Sequence, residues 1–189
     1  MIKNILAILF ALYLQTNAAT IVFDLYEGLG GDGVQITATL SESENNSVNL
    51  ILSNQSVINS VITTFAFQDL TGSLFQPITT EYWTVDNTLN MPAEKKINFD
   101  TTYGFKASPP PVKNGINSGE ELLIKLTEVT LEEMVYNFNT EQIRMTMHIQ
   151  SIGEDAISSS YVSRAPEPTV PLCLGLAGIC SVFFRRRIN

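Results

Sequence analysis

IRMTMHIQ, at positions 143–150, alternates apolar and polar side chains without a break. A period of two places the apolar side chains on one face of an extended chain and the polar ones on the other. The pattern therefore predicts a β-strand with one buried face and one polar face. This is the clearest strand signal in the chain.

The same period recurs in short segments bounded by Gly, Pro, Asn or Asp. Many short strands at near-regular spacing, without alternating βαβ units, predict a mostly β domain. We expect an antiparallel β-sandwich of jelly-roll or immunoglobulin-like type. The further strands are predicted at 21–26, 34–40, 48–52, 61–67, 82–85, 97–99, 122–126 and 156–162.

One short helix is predicted between the strands. Thr130 and Glu133 have the spacing of a capping box, in which each side chain bonds the backbone of the other residue. Apolar residues follow at helical spacing up to Phe138, so the helix is expected to pack across the sheet. Residues 104–119 contain three consecutive prolines and an Asn-Gly turn signal, which predict a long loop.

Residues 1–19 have the order of a secretory signal peptide. Lys3 is followed by an apolar run over 5–14 and by small residues at 17–19. A run of about ten residues is shorter than the roughly 20 that a membrane-spanning helix needs. We therefore expect the chain to be exported, with the Sec machinery and signal peptidase as partners, and residues 20–164 to form the folded body.

Residues 165–189 contain three parts in a fixed order. The motif Pro166-Glu167-Pro168 comes first, an apolar segment follows over 170–184, and Arg185, Arg186 and Arg187 close it. The prolines keep the motif extended and accessible to an enzyme. The apolar segment is short for a permanent span, and the arginines stop transfer across the membrane. A transient inner-membrane anchor is the expected result.

This order of motif, Gly-containing apolar helix and arginine cluster resembles the PEP-CTERM sorting signal of Gram-negative bacteria, over residues 165–189. The resemblance implies cleavage near 166–168 by a membrane-embedded exosortase. It also implies delivery to the cell surface or to the extracellular polysaccharide of a biofilm matrix. The motif is then recognised by the enzyme and has no catalytic role of its own.

Two stretches of the body, 114–120 and 148–153 followed by 160–162, also resemble segments of uncharacterised PEP-CTERM proteins. The resemblance implies no activity. Ser118 stands where the related pattern often has proline.

Charge and cysteine content narrow the function classes. The body holds seven basic residues and 18 of the 19 acidic ones, a net charge of −11, which argues against a nucleic-acid partner. Cys173 and Cys180 both lie in the C-terminal apolar segment, so no disulfide framework is expected in the body. His148 is the only histidine, and one imidazole without a thiol cannot form a usual zinc site. No metal or other cofactor is expected.

A non-catalytic structural or adhesive role is the leading hypothesis for the body. No Gly-x-Ser-x-Gly nucleophile motif accompanies His148, and the alternation places that residue on the face opposite the Met and Ile side chains, where polar cross-strand pairing is ordinary. Glu120-Glu121 and Glu132-Glu133 are explained by a turn exit and a helix N-terminus.

Two alternatives stay open. A carbohydrate-binding module, with or without calcium, is the first, because aromatic side chains near loops can stack on sugar rings. A two-carboxylate glycoside hydrolase is the second, because the distance between two acids is set by the fold and not by the sequence. The aromatic candidates are Tyr82, Trp83, Tyr103 and Phe105, and the candidate calcium ligands are Asp32, Asp86, Asp100, Glu154 and Asp155.

Overall fold

The structure is a computed structural model that describes residues 18–28, 31–72, 76–78, 82–91 and 98–163. Residues 1–17, the sorting motif Pro166-Glu167-Pro168, the apolar segment 170–184 and the three arginines lie outside this part of the chain. The first strand begins at Ala18, two residues before the expected start of the body.

The described residues form a mostly β domain with two helices. The strands are β1 (Ala18–Gly28), β2 (Ile36–Ser43), β3 (Ser47–Asn54), β4 (Val61–Asp69), β5 (Gln76–Ile78), β6 (Trp83–Val85), β7 (Tyr103–Ala107), β8 (Ile116–Asn117), β9 (Glu121–Thr127), β10 (Ile143–Ile152) and β11 (Ile157–Ser163). The helices are α1 (Pro111–Asn114) and α2 (Leu131–Asn139).

The strands of the described ranges pair antiparallel in one curled sheet, a half-barrel with the order β5-β9-β3-β2-β1-β11-β10-β4-β7-β6, and β8 pairs with β4. β1 changes partner along its length. Residues 18–22 pair with β2, and residues 23–28 pair with β11. β1 therefore joins a first half of the sheet (β5, β9, β3, β2) to a second half (β11, β10, β4, β7, β6).

The inner face of the curl holds the hydrophobic core. The apolar positions predicted from IRMTMHIQ, Ile143, Met145, Met147 and Ile149, are all at most 1% exposed. Each half of the sheet contributes alternate residues to the same cluster. The sequence period therefore identifies the buried face of β10 correctly.

Helix α2 packs on this core as expected. Its side chains Leu131, Met134 and Phe138 are buried, and it contacts β2 in the first half of the sheet and β10 in the second. The predicted capping box is confirmed: Thr130 Oγ1 accepts from the Glu133 backbone N–H, and the Glu133 carboxylate accepts from the Thr130 backbone N–H. α2 thus bridges the two halves across the inside of the curl.

The prediction of a strand at 97–99 is wrong for its described residues. Asn98 has φ of 48°, a left-handed conformation that breaks an extended chain. Phe99 is buried outside the strands, against Ala66 and Met91. The strand that pairs with β4 in this region is β7, which overlaps the start of the predicted 104–119 loop.

Tyr103, Phe105 and Ala107 keep the alternation of a strand in β7, but Gly104 and the nearby prolines are typical of a loop. A Cβ at position 104 would lie 2.2 Å from the Asp86 carbonyl oxygen. The close approach of the 86–91 segment requires glycine in the strand. The loop prediction also misses α1, a single turn that begins at Pro111, where proline's fixed φ suits a first helical residue.

Candidate functional site

Trp83 and Phe105, two of the four aromatic candidates, lie inside the core. Phe105 is fully buried and stacks on Phe65 with ring centroids 4.7 Å apart, and Trp83 packs on Phe65 at 4.9 Å. Phe67 meets both phenylalanines edge-on at 6.2 Å. We call Phe65, Phe67, Trp83 and Phe105 the aromatic cluster. It joins β4, β6 and β7, and its buried rings are not available to a sugar.

Tyr82 and Tyr103, the other two candidates, have different surroundings. Tyr82 is 55% exposed, just before β6, and its carbonyl accepts a 2.8 Å hydrogen bond from the Ser108 N–H. Tyr103 is half-buried, and burial, followed by the Asp69 carboxylate, raises the pKa of its phenol. The structure therefore does not bring the four aromatic residues together on one surface, and Tyr82 is the most exposed of them.

The acidic candidates are spread over separate turns. The Asp86 carboxylate accepts hydrogen bonds from the backbone N–H and the hydroxyl of Thr88. These bonds lower the pKa of the carboxyl, and the bond from the hydroxyl has the larger effect. Asp32 and Asp100 are exposed in other segments, as is the Glu154-Asp155 pair between β10 and β11. Within the described ranges, no three His, Cys, Asp or Glu side chains are placed to share a metal ion.

The paired glutamates have structural partners. Glu120 accepts from the backbone and side-chain amide of Asn117 at 2.9 Å, and Glu121 accepts from the Ser53 hydroxyl at 2.8 Å. Glu133 belongs to the α2 capping box. These bonds match the turn and helix roles expected from the sequence.

His148 lies on the outer face of the second half, opposite the core. Its direct neighbours across the ladders are Ser160 on β11 and Thr64 on β4. The imidazole is half-buried, and its Nδ1 atom is enclosed without a hydrogen-bond partner in the described part of the chain. Burial lowers the pKa of His148, while a hydrogen bond with the Ser159 backbone acts in the opposite direction.

A small second core covers part of the same outer face. Ala66, Met91 and Phe99 are buried together, with Leu89 beside them. Arg144 holds this layer to the sheet: its Nε donates to Gln68 Oε1 at 2.8 Å and its Nη2 donates to the Asn98 carbonyl at 2.7 Å.

The Arg144 guanidinium also lies 5.7 Å from the centre of the Phe99 ring, within range of a cation–π contact. The sequence predicts only that this face is polar, because alternation cannot show that a distant loop covers it.

Asn54 forms a buried polar cluster that sequence reasoning does not find. Its side-chain nitrogen donates to the Ser60 and Ile116 carbonyls at 3.1 Å, and its oxygen accepts from the Ser56 hydroxyl at 2.6 Å. Ser118 also bonds the connection between β3 and β4, because its hydroxyl donates to the Ile58 carbonyl at 2.7 Å. We call Asn54, Ser56, Ser60 and Ser118 the Asn54 cluster.

The Asn54 cluster gives the 114–120 stretch a structural role. A Cβ on Gly115 would lie 2.5 Å from the Ile62 carbonyl oxygen, so the chain can pass β4 this closely only at glycine. Gly119 has φ of 85° and donates to the Asn54 carbonyl at 2.7 Å. The stretch thus ties the start of β9 to the turn between β3 and β4.

The comparisons with known proteins found no matching family model, no matching curated protein and no matching solved structure. Among the described residues, neither helix is both long and apolar enough to cross a membrane.

Proposed function

We propose that this chain is an exported, non-catalytic protein of the cell surface or extracellular matrix, sorted through a PEP-CTERM-like tail. The order of Pro166-Glu167-Pro168, apolar segment and arginine cluster carries the proposal. A short apolar segment followed by three arginines suits a temporary anchor, and the proline motif suits recognition by a processing enzyme. An apolar run after Lys3 supplies the matching export signal.

The body fits the role of a folded cargo. It has no cysteine, so its stability comes from the shared core of the half-barrel. Helix α2 packs on this core and contacts both halves of the sheet. The finer expectation of a jelly-roll or immunoglobulin-like sandwich stays a prediction. It is supported by the change of partner within β1, which gives two groups of strands one common core.

Replacement of Pro166, Glu167 and Pro168 by alanine is expected to abolish processing of the tail. In a host with an exosortase, the wild-type chain is expected to lose its C-terminal segment, and the variant to accumulate uncut in the inner membrane. Membrane fractionation with mass spectrometry of the products makes the measurement.

The control for this experiment replaces Glu154 and Asp155, an exposed pair in the β10–β11 turn, by alanine. This variant is expected to be processed like wild type. Normal processing of the motif variant would contradict the proposal, as would equal processing in a host that lacks the exosortase.

Carbohydrate binding is the second candidate, and the exposed Tyr82 is the observation that favours it. If the body binds a neutral polysaccharide through this ring, Tyr82→Ala is expected to weaken binding about tenfold, the upper range for a stacking contact. Affinity electrophoresis with and without calcium measures the effect. Tyr136→Ala is the matched control, because Tyr136 is 64% exposed on α2. Equal retention of both variants, or no retention of wild type, would remove this candidate.

A further inference from the structure

The ladders of the second half are irregular around one residue pair, His148 and Ser160. The β10–β4 ladder shifts register between His148 and Ile149, and the β10–β11 ladder shifts after Ile149. The β1–β11 ladder shifts between Leu25 and Glu27, opposite Ser160. Two of the three register shifts in the described sheet border this pair, and the third begins one residue beyond it, at Ile149. A shift leaves backbone groups out of the ladder and makes the local pairing weaker.

Two buried polar side-chain atoms have no hydrogen-bond partner within the described residues, and they belong to adjacent residue pairs of the β10–β11 ladder. They are Nδ1 of His148 on the outer face and the hydroxyl of Tyr161 on the core face. Tyr161 directly follows Ser160 and is 3% exposed. Orphaned buried polar atoms are rare in folded proteins, so two on neighbouring ladder positions mark this point of the sheet as strained or functional.

The His148–Ser160 pair lies beside the junction of the sheet, because β11 and β1 hold the two halves together. β1 is the strand shared by both halves, and β11 is its partner in the second half. By contrast, β2 and β3 pair in unbroken register over eight residues, from Ile36 with Asn54 to Ser43 with Ser47. Local opening is therefore expected at β11 before it occurs in the first half.

We propose that His148 is an acid-sensitive latch at this junction, whose protonation loosens β11 from β10 and β1 while the first half of the sheet stays folded. A neutral imidazole has one N–H, which the Ser159 backbone can accept, and a lone pair at the other nitrogen. The charged imidazole has two N–H donors. The enclosed Nδ1 then needs an acceptor, and opening of the already irregular ladder supplies water or a free carbonyl.

Among the described side chains, no charged group is a cause of the shift in the pKa of His148. Ser160 and Thr64 face His148 across the ladders, and neither carries a charge. Lys106 on β7 lies one strand beyond Thr64, and Arg144 lies on the same face of β10. On β1, the backbone of Glu27 pairs with Ser160 and that of Asp24 pairs with Val162.

The direction of the pH effect follows from the pKa. The folded pKa of His148 lies below its ordinary value of 6.5, because burial disfavours the charge. The neutral form therefore contributes stability that is fully present above the unfolded pKa. That stability is lost as the pH falls through the folded pKa. His148 is the only histidine, so no other imidazole titrates in this pH range. Protonation of carboxylates changes the stability only at lower pH.

Hydrogen exchange of the full chain, measured by mass spectrometry and corrected for intrinsic rates, tests the latch. Between about pH 7 and pH 5.5, exchange of β11 amides is expected to rise at least about threefold in wild type. Exchange of the β2–β3 ladder is expected to stay constant. In His148→Gln, which cannot take up a proton in this range, the rise is expected to disappear. An equal rise in the variant, or no rise in wild type, would overturn the proposal.

A titration of the wild-type chain keeps the test decisive if His148→Gln fails to fold. In NMR spectra, the β11 amide signals are expected to follow the imidazole titration, with a midpoint below 6.5. A midpoint at or above that value, or β11 signals that ignore the titration, would equally overturn the latch.

Discussion

Phe65→Ala is expected to lower the free energy of unfolding by about 3 to 5 kcal/mol, the usual cost of removing a fully buried phenylalanine. Phe65 is 0% exposed and is the central ring of the aromatic cluster, with direct contacts to Phe67, Trp83 and Phe105. Its loss removes ring contacts on β4, β6 and β7 together and leaves a cavity between strands that cannot close without moving backbone.

Urea denaturation followed by tryptophan fluorescence measures this loss, because the single tryptophan, Trp83, packs on Phe65. The matched control is Leu123→Ala, since Leu123 is 50% exposed on the outer face of β9. Its cost is expected to stay within about 1 kcal/mol. Equal stability losses for the two variants would show that the aromatic cluster does not form.

Asn54→Ala is expected to cost about 3 kcal/mol, because it leaves several buried groups without hydrogen bonds. The side chain is 0% exposed and bonds the carbonyls of Ser60 and Ile116 as well as the Ser56 hydroxyl. Ser56 and Ser60 lie in the connection between β3 and β4, whereas Ile116 lies on β8. Alanine removes the bonds and provides none in exchange.

The control for this prediction is Asn49→Ala, on the outer face of the same strand, where the side chain is only partly buried. The two unfolding midpoints are compared by urea denaturation. Hydrogen exchange adds a local readout, because the Gly119 amide bonds the Asn54 carbonyl and is expected to lose protection in Asn54→Ala. Indistinguishable midpoints for the two variants would contradict the buried cluster.

The mostly β character of the domain and the buried face of β10 could be predicted from the sequence because both follow from local periodicity. Alternation along β10 identifies its buried residues, and the spacing of Thr130 and Glu133 identifies the start of α2. These signals lie within a few residues of one another and report directly on side-chain direction. They require no knowledge of which strands are neighbours.

The features that sequence reasoning misses depend on contacts between distant segments. β7 is predicted as part of a loop because glycine is depleted in strands and prolines follow, whereas the glycine at position 104 is required by the close approach of Asp86. The Asn54 cluster joins residues more than 60 positions apart. The aromatic residues near β6 and β7 illustrate the same limit: their sequence positions are compatible with exposure or with burial, and the structure places Trp83 and Phe105 in the core.

The intact mass of the exported product tests the central proposal most directly, because one measurement reports both processing sites. The chain is to be expressed with residues 1–19 and 165–189 in place, in a Gram-negative host that has an exosortase. The predicted product lacks the signal sequence with Lys3 and ends near Pro166-Glu167-Pro168, without Arg185, Arg186 and Arg187. A surface product that retains the three arginines would contradict sorting through a transient tail.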